Sequence, residues 1–206
     1  MADAMRADYE DTRQIPSWLK PPLKREYSYK DYKNWEEDIR VELFDGMVYM
    51  MASPGEWHQW VMTELWKQLD NILAGKKCTP YVAPLDVRLF YEEDETDTTV
   101  VQPDIMVVCD ESKTLGLKYC KGAPNFIIEI LSDSSGGRDL IDKKIQYEKA
   151  GVQEYWVVSR ENVYKYVLIN GVYLEKIFPI NRELQLKIDT LENCVIDFRA
   201  ITDRYT

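Results

Sequence analysis

The run Phe126-Ile127-Ile128-Glu129-Ile130-Leu131 is apolar at every position but one. It is too short for a buried helix, and apolar residues at both parities of a strand mean a strand covered on both faces. Tyr155-Trp156-Val157-Val158 reads the same way. Two such strands demand layers on either side of a sheet. The segments between and around them alternate between helical and β-type periodicity, which implies an α/β or α+β domain with a mixed central sheet.

The punctuation is consistent with that class. Asp45-Gly46 separates the β-prone runs Val41-Glu42-Leu43-Phe44 and Met47-Val48-Tyr49-Met50-Met51, the strongest short signal for a hairpin. Ser28 is placed to cap a short helix reaching about Ile39. Ser53-Pro54-Gly55-Glu56 reads as a capping box, and Val61, Leu65, Leu69 and Ile72 recur at helical steps up to Leu73. Residues 80–91 and 99–109 read as strands around the acidic run Glu92 to Asp97, five acids and no base, expected to be a solvated loop. Residues 137–150 read as a helix stopped by Gly151, and Asn170-Gly171 marks a second hairpin. Residues 1–27, with Pro16, Pro21 and Pro22, read as an extended arm anchored by Trp18, and 28–206 as a single domain.

With 36 Asp+Glu against 26 Lys+Arg, the net charge is −10, which argues against a generic basic nucleic-acid binder. No apolar run approaches the roughly 18 residues of a membrane span, and the polar start is unlike a signal peptide, so a cytoplasmic protein is expected. Cys78, Cys109, Cys120 and Cys194 show no C-x-x-C spacing and are expected to be buried thiols rather than a zinc site.

The chemistry concentrates on carboxylates. Glu129 in its apolar strand must be paired, protonated or bound to a cation, because an unpaired buried carboxylate is costly. Asp104 follows Pro103 in the largely apolar Val100-Val101-Gln102-Pro103-Asp104-Ile105-Met106-Val107-Val108, where proline opposes an unbroken central ladder. Two carboxylates on core strands suit a hard cation such as Mg²⁺ or Mn²⁺; a buried salt bridge is the competing account. In the helix at 137–150, Leu140, Lys143, Lys144 and Tyr147 share one face, so a lysine there could reach the acids or simply snorkel at the packing edge. The single His58 lies on the stripe of Val61 and Leu65, compatible with a core imidazole or a site wall. Asp86 and Arg88 alternate with Val87 and Leu89, compatible with a same-face ion pair or with a site role for Asp86. No phosphate loop and no serine elbow occurs.

Taken in order, Pro103-Asp104, Glu129 and Lys143 four residues before Tyr147 resemble the PD-(D/E)XK nuclease superfamily, and in particular its Uma-type, restriction-endonuclease-like family. The likeness runs from about Val41 to Val158 and includes Glu42, Ser53-Pro54 with His58, Pro84-Leu85-Asp86, Glu129-Ile130-Leu131-Ser132, Arg138-Asp139 and Ala150-Gly151 through Trp156. The superfamily lysine would fall at Leu131; the Uma-type spacing to Tyr147 points instead to Lys143, with Lys144 as competitor. The resemblance implies a restriction-endonuclease-like mixed sheet flanked by helices with added hairpins, and an endonuclease that hydrolyses phosphodiester bonds with a metal-activated water. Asp104, Glu129 and Lys143 would be catalytic. Asp104, Glu129 and Glu42 would lie at the metal, although Glu42 could equally be a strand-edge charge. His58, Asp86, Lys144 and Tyr147 would form its wall. DNA would be the partner and a homodimer the assembly, the alternative being an inactive module on the same fold. Lys113, Lys118 and Lys121, a run of bases after the Asp104 strand, are candidates for phosphate contact.

Overall fold

Asp45 and Gly46 turn β1 (Val41–Phe44) into β2 (Met47–Met50), both with positive φ, 46° and 79°. Those are the dihedrals of the hairpin turn whose twist matches that of its strands. The computed structural model describes residues 26–35, 40–51, 53–131 and 137–205. The arm expected at 1–27 thus lies outside the described residues except for Glu26 and Tyr27, as does Trp18. α1 is a single turn, Tyr29–Tyr32, ending well before Ile39; residues 36–39 are outside the description.

α2 spans Glu56–Leu73, with Gly55 rather than Ser53 at the cap. Gly55 is extended at φ −77° and ψ 174°. A glycine resists helical confinement, so the helix starts two residues later than a capping box at Ser53 would require. β3 (Thr79–Val82) and β4 (Asp86–Arg88) follow, separated by the cis Ala83–Pro84 bond, then β5 (Val100–Val101) and β6 (Ile105–Val108) on either side of Gln102-Pro103-Asp104. The remaining elements are β7 (Tyr119–Lys121), β8 (Phe126–Ile130), α3 (Gly137–Ala150), β9 (Glu154–Val158), β10 (Asn162–Ile169), β11 (Val172–Pro179), β12 (Gln185–Lys187), β13 (Val195–Asp197) and α4 (Arg199–Tyr205).

The strands form a mixed six-stranded sheet, β11-β10-β9-β8-β6-β3, a five-stranded sheet, β2-β1-β5-β4-β7, and the ribbon β12-β13. The two runs read as single strands are therefore each broken, and each gives one half to each sheet. Pro103 lies at one break, where a residue without an N–H cannot serve a ladder. β8 pairs antiparallel with β6 (Ile105↔Ile128) and parallel with β9 (Ile128↔Trp156), and α3 makes the crossover between the parallel pair.

All of β8 is buried. Phe126, Ile128 and Ile130 face the α2 side, packed with Val61, Leu65 and Leu69; Ile127 belongs to the opposite core with Tyr147 and Tyr155. Glu129 shares the parity of Ile127 and so points toward α3.

Two readings of the sequence are corrected. Cys78 and Cys109 form a disulfide; only Cys120 and Cys194 are free thiols, both buried. The pairing is invisible in the spacing but follows from register, since Thr79 lies opposite Val108. Asp97 is not solvated with its acidic loop. It is 4% exposed and binds Arg88, its Oδ2 accepting from Nε at 3.0 Å. Arg88 consequently does not pair with Asp86. Among the described residues no helix is long and apolar enough to cross a membrane.

Candidate functional site

Lys143, Gln146 and Tyr147 fall at i, i+3 and i+4 on α3 and are all buried, which puts one lysine, one amide and one phenol on the inward face. Leu140, expected on that face, lies outside the described side chains. Lys143 Nζ is 2.9 Å from Glu129 Oε1 and 3.0 Å from Glu42 Oε1, bridging β8 and β1. Tyr147 donates its hydroxyl to the same Glu129 oxygen at 2.7 Å. Gln146 donates to Asp45 Oδ2 at 2.7 Å, tying α3 to the β1–β2 turn.

Asp104 enters from the break between β5 and β6. Its Oδ2 accepts the Ile130 N–H at 2.7 Å and lies 3.0 Å from His58 Nε2 at the start of α2. Glu42 Oε1 also accepts the Gln102 N–H at 2.8 Å. Elements of both sheets and two helices thus converge on three carboxylates, two of which, Glu42 and Glu129, share the Lys143 ammonium, while Asp104 is held by His58 and the Ile130 N–H.

The electrostatics follow from burial. It works against the Glu129 carboxylate; Lys143 opposes that penalty, Asp104 and Glu42 add to it, and the group is pushed up to about 7. Burial also works against the Lys143 ammonium, but Glu129 and Glu42 outweigh it and hold the ammonium above the ordinary lysine value. Tyr147 is raised by burial and then by Glu129, so its hydroxyl remains a donor.

The protein's hydrogen bonds load one oxygen of each carboxylate. Among the described residues no donor reaches Asp104 Oδ1, Glu129 Oε2 or Glu42 Oε2. Such oxygens are the donors a hard cation takes, and Mg²⁺ commonly uses one or two carboxylates and completes its shell with water and phosphate. The donor set fits in that sense only, because no group of three or more His, Cys, Asp or Glu among the described residues is arranged to hold an ion unaided.

The other sequence candidates separate. Asp86 accepts from Gln102 Nε2 at 2.8 Å and from the Tyr32 hydroxyl at 2.9 Å, adjoining the cluster through Gln102. Burial raises Asp86, with Gln102 and Tyr32 pulling the other way. Lys144 is turned away, 3.9 Å from Glu175 and 4.5 Å above the Tyr166 ring. Lys113 donates to the Ala123 carbonyl at 2.7 Å, Lys121 lies 4.2 Å from the centre of the Tyr91 ring, and Lys118 is exposed, so none of the three joins the acids. Gln146 and the Ile130 N–H were missed by sequence reasoning, and Gln102 stood in the Gln102-Pro103-Asp104 motif without a role assigned to it. Only Gln146 carried a signal, its step of three from Lys143.

Comparison with known proteins agrees with this architecture. A chain described as a putative nuclease belonging to DUF820, from Anabaena variabilis, superposes with a TM-score of 0.69 at 15% identity, covering 86% of this chain and 98% of that one. At that identity the likeness concerns the fold. An uncharacterized protein of Synechocystis sp., slr1290, is 27% identical over 139 residues, 66% of this chain and 70% of that protein. Residues 29–196 match the family described as "Uma2: Putative restriction endonuclease", a span that holds every residue of the cluster, and the chain belongs to that family.

Proposed function

We propose that the chain is a metal-dependent endonuclease that hydrolyses phosphodiester bonds in DNA, with Asp104 and Glu129 as the ligands for Mg²⁺ or Mn²⁺ and Glu42 beside them, tied to Glu129 through Lys143. The observation that supports this most is the placement of one lysine among three carboxylates whose outer oxygens have no protein donor among the described residues. A bound divalent cation would lower the pKa of a water and stabilise charge on the phosphorane oxygens.

The chain's own groups prepare that chemistry. Tyr147 and Lys143 hold Glu129 by one oxygen and thereby orient the other. Ile130 and His58 do the same for Asp104. Lys143 keeps a fixed positive charge beside the acids, a preorganised counter-charge for a phosphate in its transition state. No nucleophilic side chain is required. Cutting both strands of a duplex calls for two such centres, so the reading includes a homodimer.

The test is cleavage of supercoiled and linear DNA with Mg²⁺ or Mn²⁺, comparing the wild type with D104N, E129Q and K143A. Loss of about a hundredfold or more in each variant is expected, the range seen when one preorganised electrostatic group is removed. Cleavage that survives all three substitutions contradicts the site. The Lys143 bridge between Glu42 and Glu129 also fits a second reading, a binding or assembly module in which the ion pairs are only structural. In that case Mg²⁺ leaves Tm unchanged, whereas a bound ion raises it by mass action.

A further inference from the structure

His58 is the chain's single histidine and lies in the first turn of α2, 7% exposed. For packing alone, a hydrocarbon would serve at the top of the Val61–Leu65–Leu69 stripe. The imidazole instead spends its Nε2 on Asp104 Oδ2 at 3.0 Å. A carboxylate accepts, so Nε2 carries the hydrogen. Nδ1 is buried with no hydrogen-bond partner among the described residues. A buried nitrogen left without a partner is a cost with no packing return, and it indicates that the ring is kept for its other nitrogen.

The oxygen that His58 reaches already accepts the Ile130 N–H at 2.7 Å. Two donors, one from α2 and one from β8, therefore approach Oδ2 from different elements. Rotation of the Asp104 carboxylate would break both bonds at once. We propose that His58 is a positioning residue: with the Ile130 N–H it locks the Asp104 carboxylate so that Oδ1 faces the divalent cation. This rests on the metal-site reading above and adds to it a residue that need not touch either cation or substrate. Partners that orient a ligating group in this way typically change metal affinity by about 10–100-fold when removed.

The test is Mn²⁺ affinity of the full chain by calorimetry, in the wild type, H58F, H58Q and D104N, with Tm of each metal-free protein. H58F keeps the bulk and removes the donor; H58Q restores a donor near the position of Nε2. The expected result is binding weakened about tenfold or more in H58F, and largely restored in H58Q. Wild-type affinity in H58F, or equal weakening in H58F and H58Q, overturns the assignment. Because there is one imidazole, ¹⁵N NMR of the metal-free wild type reads it without ambiguity; a proton on Nε2 is expected, and a bare Nε2 overturns the proposal even if a variant fails to fold. A wild type that binds no Mn²⁺, or a D104N variant that binds it normally, defeats the metal-site reading itself and is told apart by those two samples.

Discussion

Tyr147 and Tyr155 meet edge to face with ring centres 5.0 Å apart, both fully buried, but their hydroxyls differ. That of Tyr147 donates to Glu129; that of Tyr155 has no partner among the described residues. Tyr147→Phe should therefore cost about 1.5–3 kcal/mol, as for a hydrogen bond to a charged group, while Tyr155→Phe should be neutral or stabilising by about 1 kcal/mol. Urea unfolding of the two variants checks the contrast. Glu129 supplies a second expectation. Its folded-state value, pushed up to about 7, lies above its value in an unfolded chain, so the folded state binds the extra proton. That contribution is complete below the unfolded pKa and is lost as pH rises through the folded one. Lys143 stays charged in both states across this window and adds no slope. Metal-free Tm should thus fall between about pH 4.5 and 7, and E129Q should flatten the fall. At this scale much was legible. Glu129 was conspicuous because its neighbours are apolar, and the helical step from Lys143 to Tyr147 put both on one face. The Gln102 and Ile130 N–H groups were not legible, since backbone donors acquire partners only from the fold.

Arg88 shows what joins one element to another. Its guanidinium lies 3.9 Å from the ring centre of Tyr29, 4.4 Å from that of Tyr91 and 4.9 Å from that of Tyr119, and it binds Asp97 and the Glu92 carbonyl. It thereby fastens α1, β4, β7 and the acidic loop. Arg88→Met should cost about 3–5 kcal/mol, because it leaves Asp97 buried without its partner. The Cys78–Cys109 bond, closing 31 residues of sequence, should contribute about 3–4 kcal/mol by restricting the unfolded chain. Loss of that stability on reduction, with the pair identified by mass spectrometry of non-reduced peptides, checks both size and pairing. The hairpins were legible because Asp45-Gly46 and Asn170-Gly171 adopt the positive φ that their residue types allow. The division into two sheets was not. Residues 80–91 and 99–109 keep strand-like composition across their breaks, and only the three-dimensional pairing shows where each changes sheet.

Over the whole molecule the net charge of −10 is less of an obstacle to nucleic acid than it first looks. Residues 92–97 carry five of the acids, and Asp97 is matched by Arg88 and Glu95 by Lys33. Of three further acids, Glu42 and Glu129 pair with Lys143, and Asp104 lies beside His58 and the Ile130 N–H. Both sheets contribute to one acidic centre, Glu42 from the five-stranded sheet and Glu129 from the six-stranded one. The central claim is that this centre holds a divalent cation between Asp104 and Glu129. Anomalous diffraction from a crystal soaked in Mn²⁺ tests it most directly. The expected result is a peak in contact with both carboxylates and beside Lys143; a crystal with no such peak, or with manganese only elsewhere, contradicts it.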